Sequence, residues 1–166
     1  MILLKTILVA TDFSPASAAA LTYGRELASS FGAQLLVAHV AGNVLTRPYA
    51  GGDGISFADP SLQEALEAGA HRQLELVIST ADREQRRARG IVLTSNAPAS
   101  AIVEYAEEEG VDLIVLGTHG RGAVAHLLMG SVAERVVRTA ACPVLTVRHP
   151  EHEFVVAEPP VPDAAA

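Results

Sequence analysis

The sequence predicts an α/β fold: one doubly wound domain on a five-stranded parallel sheet flanked by four helices. Three observations carry this. Five short, almost continuously apolar runs recur along the chain, as expected of strands buried on both faces. Segments of helical periodicity separate them, giving the alternation βαβαβαβαβ. Hydrophobic residues make up 49% of the chain but aromatics only 4%, with no Trp, a composition suited to helices packed on a parallel sheet.

The first strand is "KTILVAT" (5–11). Ser14 and Pro15 then supply an N-cap and a first-turn proline, and Leu21, Gly24, Ala28 and Phe31 share one helical face before Gly32 ends the helix. "QLLVAHV" (34–40) is the second strand, followed by a glycine-rich loop over 41–60 that is longer than ordinary connections. Leu62, Leu66, Ala70, Leu74, Val77 and Ala81 mark a long second helix ending in "REQRRAR", where a helix dipole favours cations. "GIVLTS" (90–95) is the third strand. Pro98 opens a third helix with Ala99, Ile102, Val103 and Ala106 inward, and Gly110 stops it. "DLIVLGT" (112–118) is the fourth strand. Ser131 starts a fourth helix with Val132, Val136, Val137 and Ala140 inward, and "PVLTVR" (143–148) closes the sheet.

At 166 residues the chain is most simply one domain, 1–149, with a proline-rich tail over 150–166. The net charge of −7 and a single lysine, Lys5, argue against nucleic acid as a partner. No apolar stretch reaches the roughly 18 residues of a membrane span. "MILLKTILVA" carries Lys5 in its middle and lacks a cleavage region, so it reads as a first strand rather than a signal. The single cysteine, Cys142, suits a reducing compartment, and the expected location is the cytoplasm. Cys142 itself reads as a small buried hydrophobe.

The stretch that asks for a function is "GTHGRGAVAHLLMGSVAE" (117–134), which leaves the carboxyl end of the fourth strand. Ligands of open parallel sheets gather outside those ends, where strand order reverses. Two familiar phosphate motifs fail. A P-loop needs a lysine after its last glycine, whereas Gly130 is followed by Ser131 and then Val132. The dinucleotide fingerprint breaks at Ala125, where its third glycine would stand. The spacing present is Gly117, two residues, Gly120, nine residues, Gly130, then Ser131.

That spacing resembles the nucleotide-binding branch of the universal stress protein family. "ILVATDFSPAS", "LLVAHV", "DLIVLGTHGRG" and "GSVAERVVRTAACPVLTVR" look like its signatures in the family's order, so the resemblance covers residues 3–148. It implies a sheet in the order 3-2-1-4-5, a homodimer, and ATP, with Mg²⁺ on its phosphates, between strands one and four; in that order the apolar strand 143–148 lies at the sheet edge and would pair with its copy, unless the tail from Pro150 folds back to cover it. It also implies Ala10 and Val40 against the adenine, Leu116 on the cleft floor, and Asp12 with its neighbour Thr11 at the nucleoside end.

Elementary chemistry is compatible with those roles. Gly117 and Gly120 would let backbone N–H groups approach phosphate, and Gly130, Ser131 and Val132 would present theirs from a helix N-terminus. Arg121 is the only cation of the loop. Asp12 would repel phosphate but accept from ribose hydroxyls or the adenine amine. Plainer readings stand beside these: Ser131 as an N-cap, Asp12 as the organiser of "TDFSP", His39 as a satisfied core histidine. His119 and His126 lie seven residues apart with no carboxylate partner, so no metal site is expected. His119 and Glu134 are the nearest candidate bases, and neither has a partner legible in sequence. Three classes therefore remain: a nucleotide-binding regulatory protein, a slow ATP-hydrolysing or nucleotidyl-transferring enzyme, and a nucleotide-free dimerising module. The retained glycines favour the first.

Overall fold

The structure is a computed structural model, and it describes residues 1–46, 60–118 and 129–148. Its strands are β1 (Thr6–Ala10), β2 (Gln34–Ala41), β3 (Arg89–Thr94), β4 (Leu113–Gly117) and β5 (Val144–Val147). All neighbours pair in parallel, in the order β3-β2-β1-β4-β5. The expected sheet is therefore present, with strand ends within a residue or so of the apolar runs.

Strand alternation divides the interior into two cores. Ile7, Val9, Leu35, Val37 and Val115 face α1 (Pro15–Phe31) and α2 (Pro60–Val77). Leu8, Ala10, Leu36, Ala38, Ile114 and Leu116 face α4 (Pro98–Glu108) and α5 (Ser131–Thr139). α1 begins as expected: Ser14 is its N-cap, Pro15 its first residue, and Gly32 ends it at φ 63°. Ala99, Ile102, Val103 and Ala106 of α4 are all buried, and Gly110 follows at φ 61°.

Four corrections follow. Five helices are described, not four, because the long second helix breaks at Ser79 and restarts as α3 (Thr80–Arg86). The break has a local cause. Ser79 accepts from the Asp82 N–H at 3.1 Å while Asp82 accepts from the Ser79 N–H at 2.9 Å, a reciprocal capping box. Second, Ala81 is exposed and Asp82 is buried instead. Asp82 is bridged by Arg25 at 2.8 Å and Arg86 at 3.3 Å, which pins α3 to α1. Burial by itself would raise the Asp82 pKa; the hydrogen bonds from Arg25 and Ser79 and the Arg25 charge outweigh it and hold the carboxyl below its usual value. Third, Leu62 and Leu66 are exposed while Gln63 is buried, accepting from the Val44 N–H at 2.9 Å. The first turn of α2 thus meets, through Gln63, the backbone of the chain leaving β2. Fourth, Val137 lies on the exposed side of α5, which packs through Ala133 and Val136.

β5 sits at one edge of the sheet. Its Val147 is buried, whereas Val144, Leu145 and Thr146 are half-buried. Among the described residues, no helix is long and apolar enough to cross a membrane.

Candidate functional site

The carboxyl ends of β1 and β4 lie side by side, with Ala10 paired to Leu116 on one flank and to Ala38 on the other. From β1 the chain passes to α1 on one face of the sheet; from β4 it passes to α5 on the opposite face. This is the topological switch point of an open α/β sheet.

The β1–α1 turn is held by several hydrogen bonds. The Thr11 N–H donates to the Ala38 carbonyl at 2.8 Å, and the Thr11 hydroxyl donates to Ser17 Oγ at 3.1 Å while accepting from the Phe13 N–H at 3.0 Å. Asp12 Oδ1 accepts from the Ser14 N–H at 3.1 Å, so its carboxylate does organise the turn, while the residue stays half-buried. Ser14 then caps α1 by accepting from the Ser17 N–H at 3.3 Å. Phe13 adopts φ 63°, a left-handed conformation that bulky residues rarely take. Its ring lies 4.6 Å from the ring of His39, at 33° between planes. His39 Nδ1 is 2.8 Å from the Thr11 carbonyl oxygen, so this histidine has the partner expected of it, although it is half-buried rather than in the core.

The β4–α5 connection starts where β4 packs closely on the first turn of α1. A Cβ on Gly117 would lie 2.9 Å from the carbonyl carbon of Ala16, so packing against α1 by itself calls for glycine there. The Thr118 N–H donates to the Val147 carbonyl at 2.7 Å, and the Thr118 carbonyl accepts from the Gly130 N–H at 2.6 Å. That second bond closes the loop and engages one N–H that the sequence reading offered to phosphate. Residues 119–128, and with them Gly120 and Arg121, His119 and His126, lie outside the described residues.

Gly130 is the N-cap of α5 at φ −71°, ψ 152°, and among the described residues no side chain caps the helix. Ser131 is the first helical residue and exposed, so the N-cap role that sequence allowed it belongs to Gly130. The Gly130 backbone is ordinary extended chain, which any residue adopts; its conformation gives no reason for glycine. The first hydrogen bond of the helix runs from the Glu134 N–H to the Gly130 carbonyl at 2.9 Å. The N–H groups of Ser131, Val132 and Ala133 precede that bond and point out of the helix end, toward the pole that favours anions. Glu134 is ion-paired with Arg138 and exposed, a partner four residues on that the sequence reading missed.

Ala10, Leu116 and Val40 belong to the same core as Ala133 and Val132, on the α5 side of the sheet, with Val40 half-buried. The structure therefore gathers Ala10, Val40, Leu116, Ser131 and Val132 on one side of the switch point, with Asp12 in the adjoining turn. Thr11 faces the other way, its hydroxyl engaged with α1. The contact of His39 with Thr11 and Phe13 was not legible, since only the parallel register of β1 and β2 brings these residues together. A separate cavity of about 290 Å³ lies at the opposite, amino ends of β4 and β5, lined by Val103, Ala106, Val111, Ile114 and Cys142 among others. Its lining is mainly aliphatic, and burial holds the Cys142 thiol above its usual pKa, so it lacks the convergent polar groups of a ligand site.

Comparison with known proteins agrees with this geometry. A universal stress protein of Methanocaldococcus jannaschii is 34% identical over 151 residues, covering 91% of this chain and 86% of that protein. Among solved structures, the universal stress protein UspA from Lactobacillus plantarum superposes with a TM-score of 0.71 at 27% identity, covering 89% of this chain and all of that one. Another, a universal stress protein solved in complex with cAMP, gives a TM-score of 0.56 at 26% identity, covering 89% of this chain and 98% of that one. Residues 4–148 match the universal stress protein family, to which this chain belongs.

Proposed function

We propose that the chain is a nucleotide-binding regulatory protein that holds ATP, with Mg²⁺ on its phosphates, in the crevice between β1 and β4. The observation that carries this reading is the opening of α5 at the switch point: a helix N-terminus that no described side chain caps, preceded by a glycine whose backbone does not require glycine. An absent side chain at that place leaves room for an anion to reach the N–H groups of Ser131 and Val132, with the Ser131 hydroxyl beside them. Gly120 and Arg121 complete the phosphate side as the sequence motif has them, and Gly117 lets the strand end pack close enough to form the crevice. Asp12 receives the nucleoside, with Thr11 fixing its turn, and Ala10, Val40 and Leu116 form the apolar wall for the adenine. A related universal stress protein was solved with cAMP, which favours an adenine nucleotide as the ligand class. We read the site as binding rather than hydrolysing because its loop lacks the lysine of a P-loop; the exposed Glu134, paired with Arg138, is the candidate base that a turnover assay would have to test.

The proposed assembly is a homodimer through β5. Among the described residues β5 is an edge strand, one row of its backbone groups has no neighbour in the sheet, and the half-buried Val144, Leu145 and Thr146 line it.

A second reading, a nucleotide-free dimerising module, is favoured by two observations: Ala16 accounts for Gly117, and the turn accounts for Asp12. Mass spectrometry of small molecules released from freshly purified protein separates the two. An adenine nucleotide near one per chain supports the first. None released, together with no uptake of added ATP, supports the second.

A further inference from the structure

We infer that His39 is a positioning residue of this site, holding the Asp12 carboxylate in the orientation that a nucleoside requires. The inference rests on the nucleotide reading above and adds a residue which that reading does not use. A carbonyl oxygen only accepts, so at 2.8 Å from the Thr11 oxygen His39 Nδ1 must carry the hydrogen. The carbonyl so held is that of the residue immediately before Asp12, and the bond therefore fixes the plane of the Thr11–Asp12 peptide. On the other side of Asp12, Phe13 sits at φ 63° with its ring 4.6 Å from the same imidazole. Strained backbone of this kind persists only where its surroundings over-determine it. Here they do: the Phe13 N–H is tied to Thr11 Oγ1, and that hydroxyl to Ser17.

One side chain on β2 thus grips the turn both before and after Asp12. The grip does not reach α5, which lies on the other face of the sheet. Loss of His39 should therefore disturb the nucleoside side of the crevice and spare the phosphate side. A histidine that only filled the core would, when replaced, lower stability without changing the balance between the two.

The test uses the full chain and two substitutions, with adenosine and tripolyphosphate titrated separately by calorimetry. His39→Asn keeps an N–H near the position of Nδ1 but removes the ring; His39→Phe keeps a ring and removes the donor. The expected result is about tenfold weaker adenosine binding by the phenylalanine variant, the size of one lost hydrogen bond to a carbonyl. The asparagine variant should stay within about threefold of wild type. Tripolyphosphate affinity should be unchanged in both. Unchanged adenosine binding in the folded phenylalanine variant, or equal losses for both ligands, overturns the inference while leaving the nucleotide reading intact. If that variant does not fold, the asparagine variant decides alone, and a tenfold loss there is contrary. A wild-type chain that takes up neither ligand overturns the inference together with the reading beneath it.

Discussion

Replacing Gly117 with alanine should destabilise the fold, and the amount can be worked from the structure. The new Cβ would stand 2.9 Å from the Ala16 carbonyl carbon and 3.0 Å from its carbonyl oxygen and Cβ. Unstrained carbon contacts begin at about 3.5 Å, so the first turn of α1 must retreat by roughly 0.6 Å or β4 must bend. The obstacle is backbone, so no side-chain rotation relieves it. Overpacking of this kind costs about 1–3 kcal/mol, and a backbone obstacle belongs to the upper half of that range. Fewer unfolded conformations offset about 0.4–1 kcal/mol, leaving a net loss near 2 kcal/mol. For a domain of this size that lowers Tm by roughly 4–8 °C. Thermal unfolding followed by circular dichroism reads the effect, with Gly69→Ala as the control. In α2, a Cβ on Gly69 meets nothing closer than Arg72 at 3.8 Å, so helix propensity should raise stability by up to about 1 kcal/mol. A Gly117→Ala protein melting within about 1 °C of wild type would refute the packing argument and return this glycine to the ligand.

Other predictions follow from the same geometry. Asp12→Ala should weaken adenosine and ATP alike, whereas Ser131→Ala should weaken ATP and hardly touch adenosine; the reverse pattern in calorimetry would turn the ligand end for end. Asp82→Asn should cost about 3 kcal/mol at neutral pH, because it leaves Arg25 and Arg86 beside an uncharged group. The folded pKa of Asp82 is lowered, so its contribution is present above the unfolded value of about 3.9 and is lost as pH falls through the folded value. Urea unfolding across pH should therefore show wild type and Asp82→Asn converging in acid, and a gap independent of pH would contradict this. Thr146→Pro should yield monomers in light scattering. The Pro143 and Val147 carbonyls bond toward β4, so strand alternation turns the Thr146 N–H to the open edge. A variant that stayed dimeric would move the interface elsewhere.

Much of the fold was legible because its signals are local and redundant. Strands buried on both faces must be apolar throughout, and Ser14 with Pro15, Gly32 and Gly110 punctuate helices by backbone chemistry alone. The readings failed where tertiary context decides. The apolar period through Val77 and Ala81 concealed the capping box at Ser79, and the buried Asp82 makes sense only once Arg25 arrives from α1. Leu62 and Leu66 have helical spacing, yet periodicity cannot say that Gln63 is the residue buried in the first turn of α2, where the Val44 N–H awaits it. At the site, the glycine spacing pointed to the carboxyl end of β4, where the strand order reverses. It could not distinguish Gly117, which Ala16 requires, from Gly130, which no described backbone strain explains. Nor could it pair His39 with Thr11, because those residues meet only through the register of two strands.

Titrating Mg²⁺–ATP into wild type and Gly130→Val by calorimetry tests the central claim most directly. A valine is compatible with the backbone at φ −71° and should cost at most about 1–2 kcal/mol at an N-cap, so the variant should fold. Its side chain would occupy the space in front of the α5 N–H groups. The account predicts saturable binding by wild type near one nucleotide per chain, and no measurable heat of binding from a folded Gly130→Val protein. Undiminished affinity in that variant, or a folded wild type that binds no nucleotide, would contradict it.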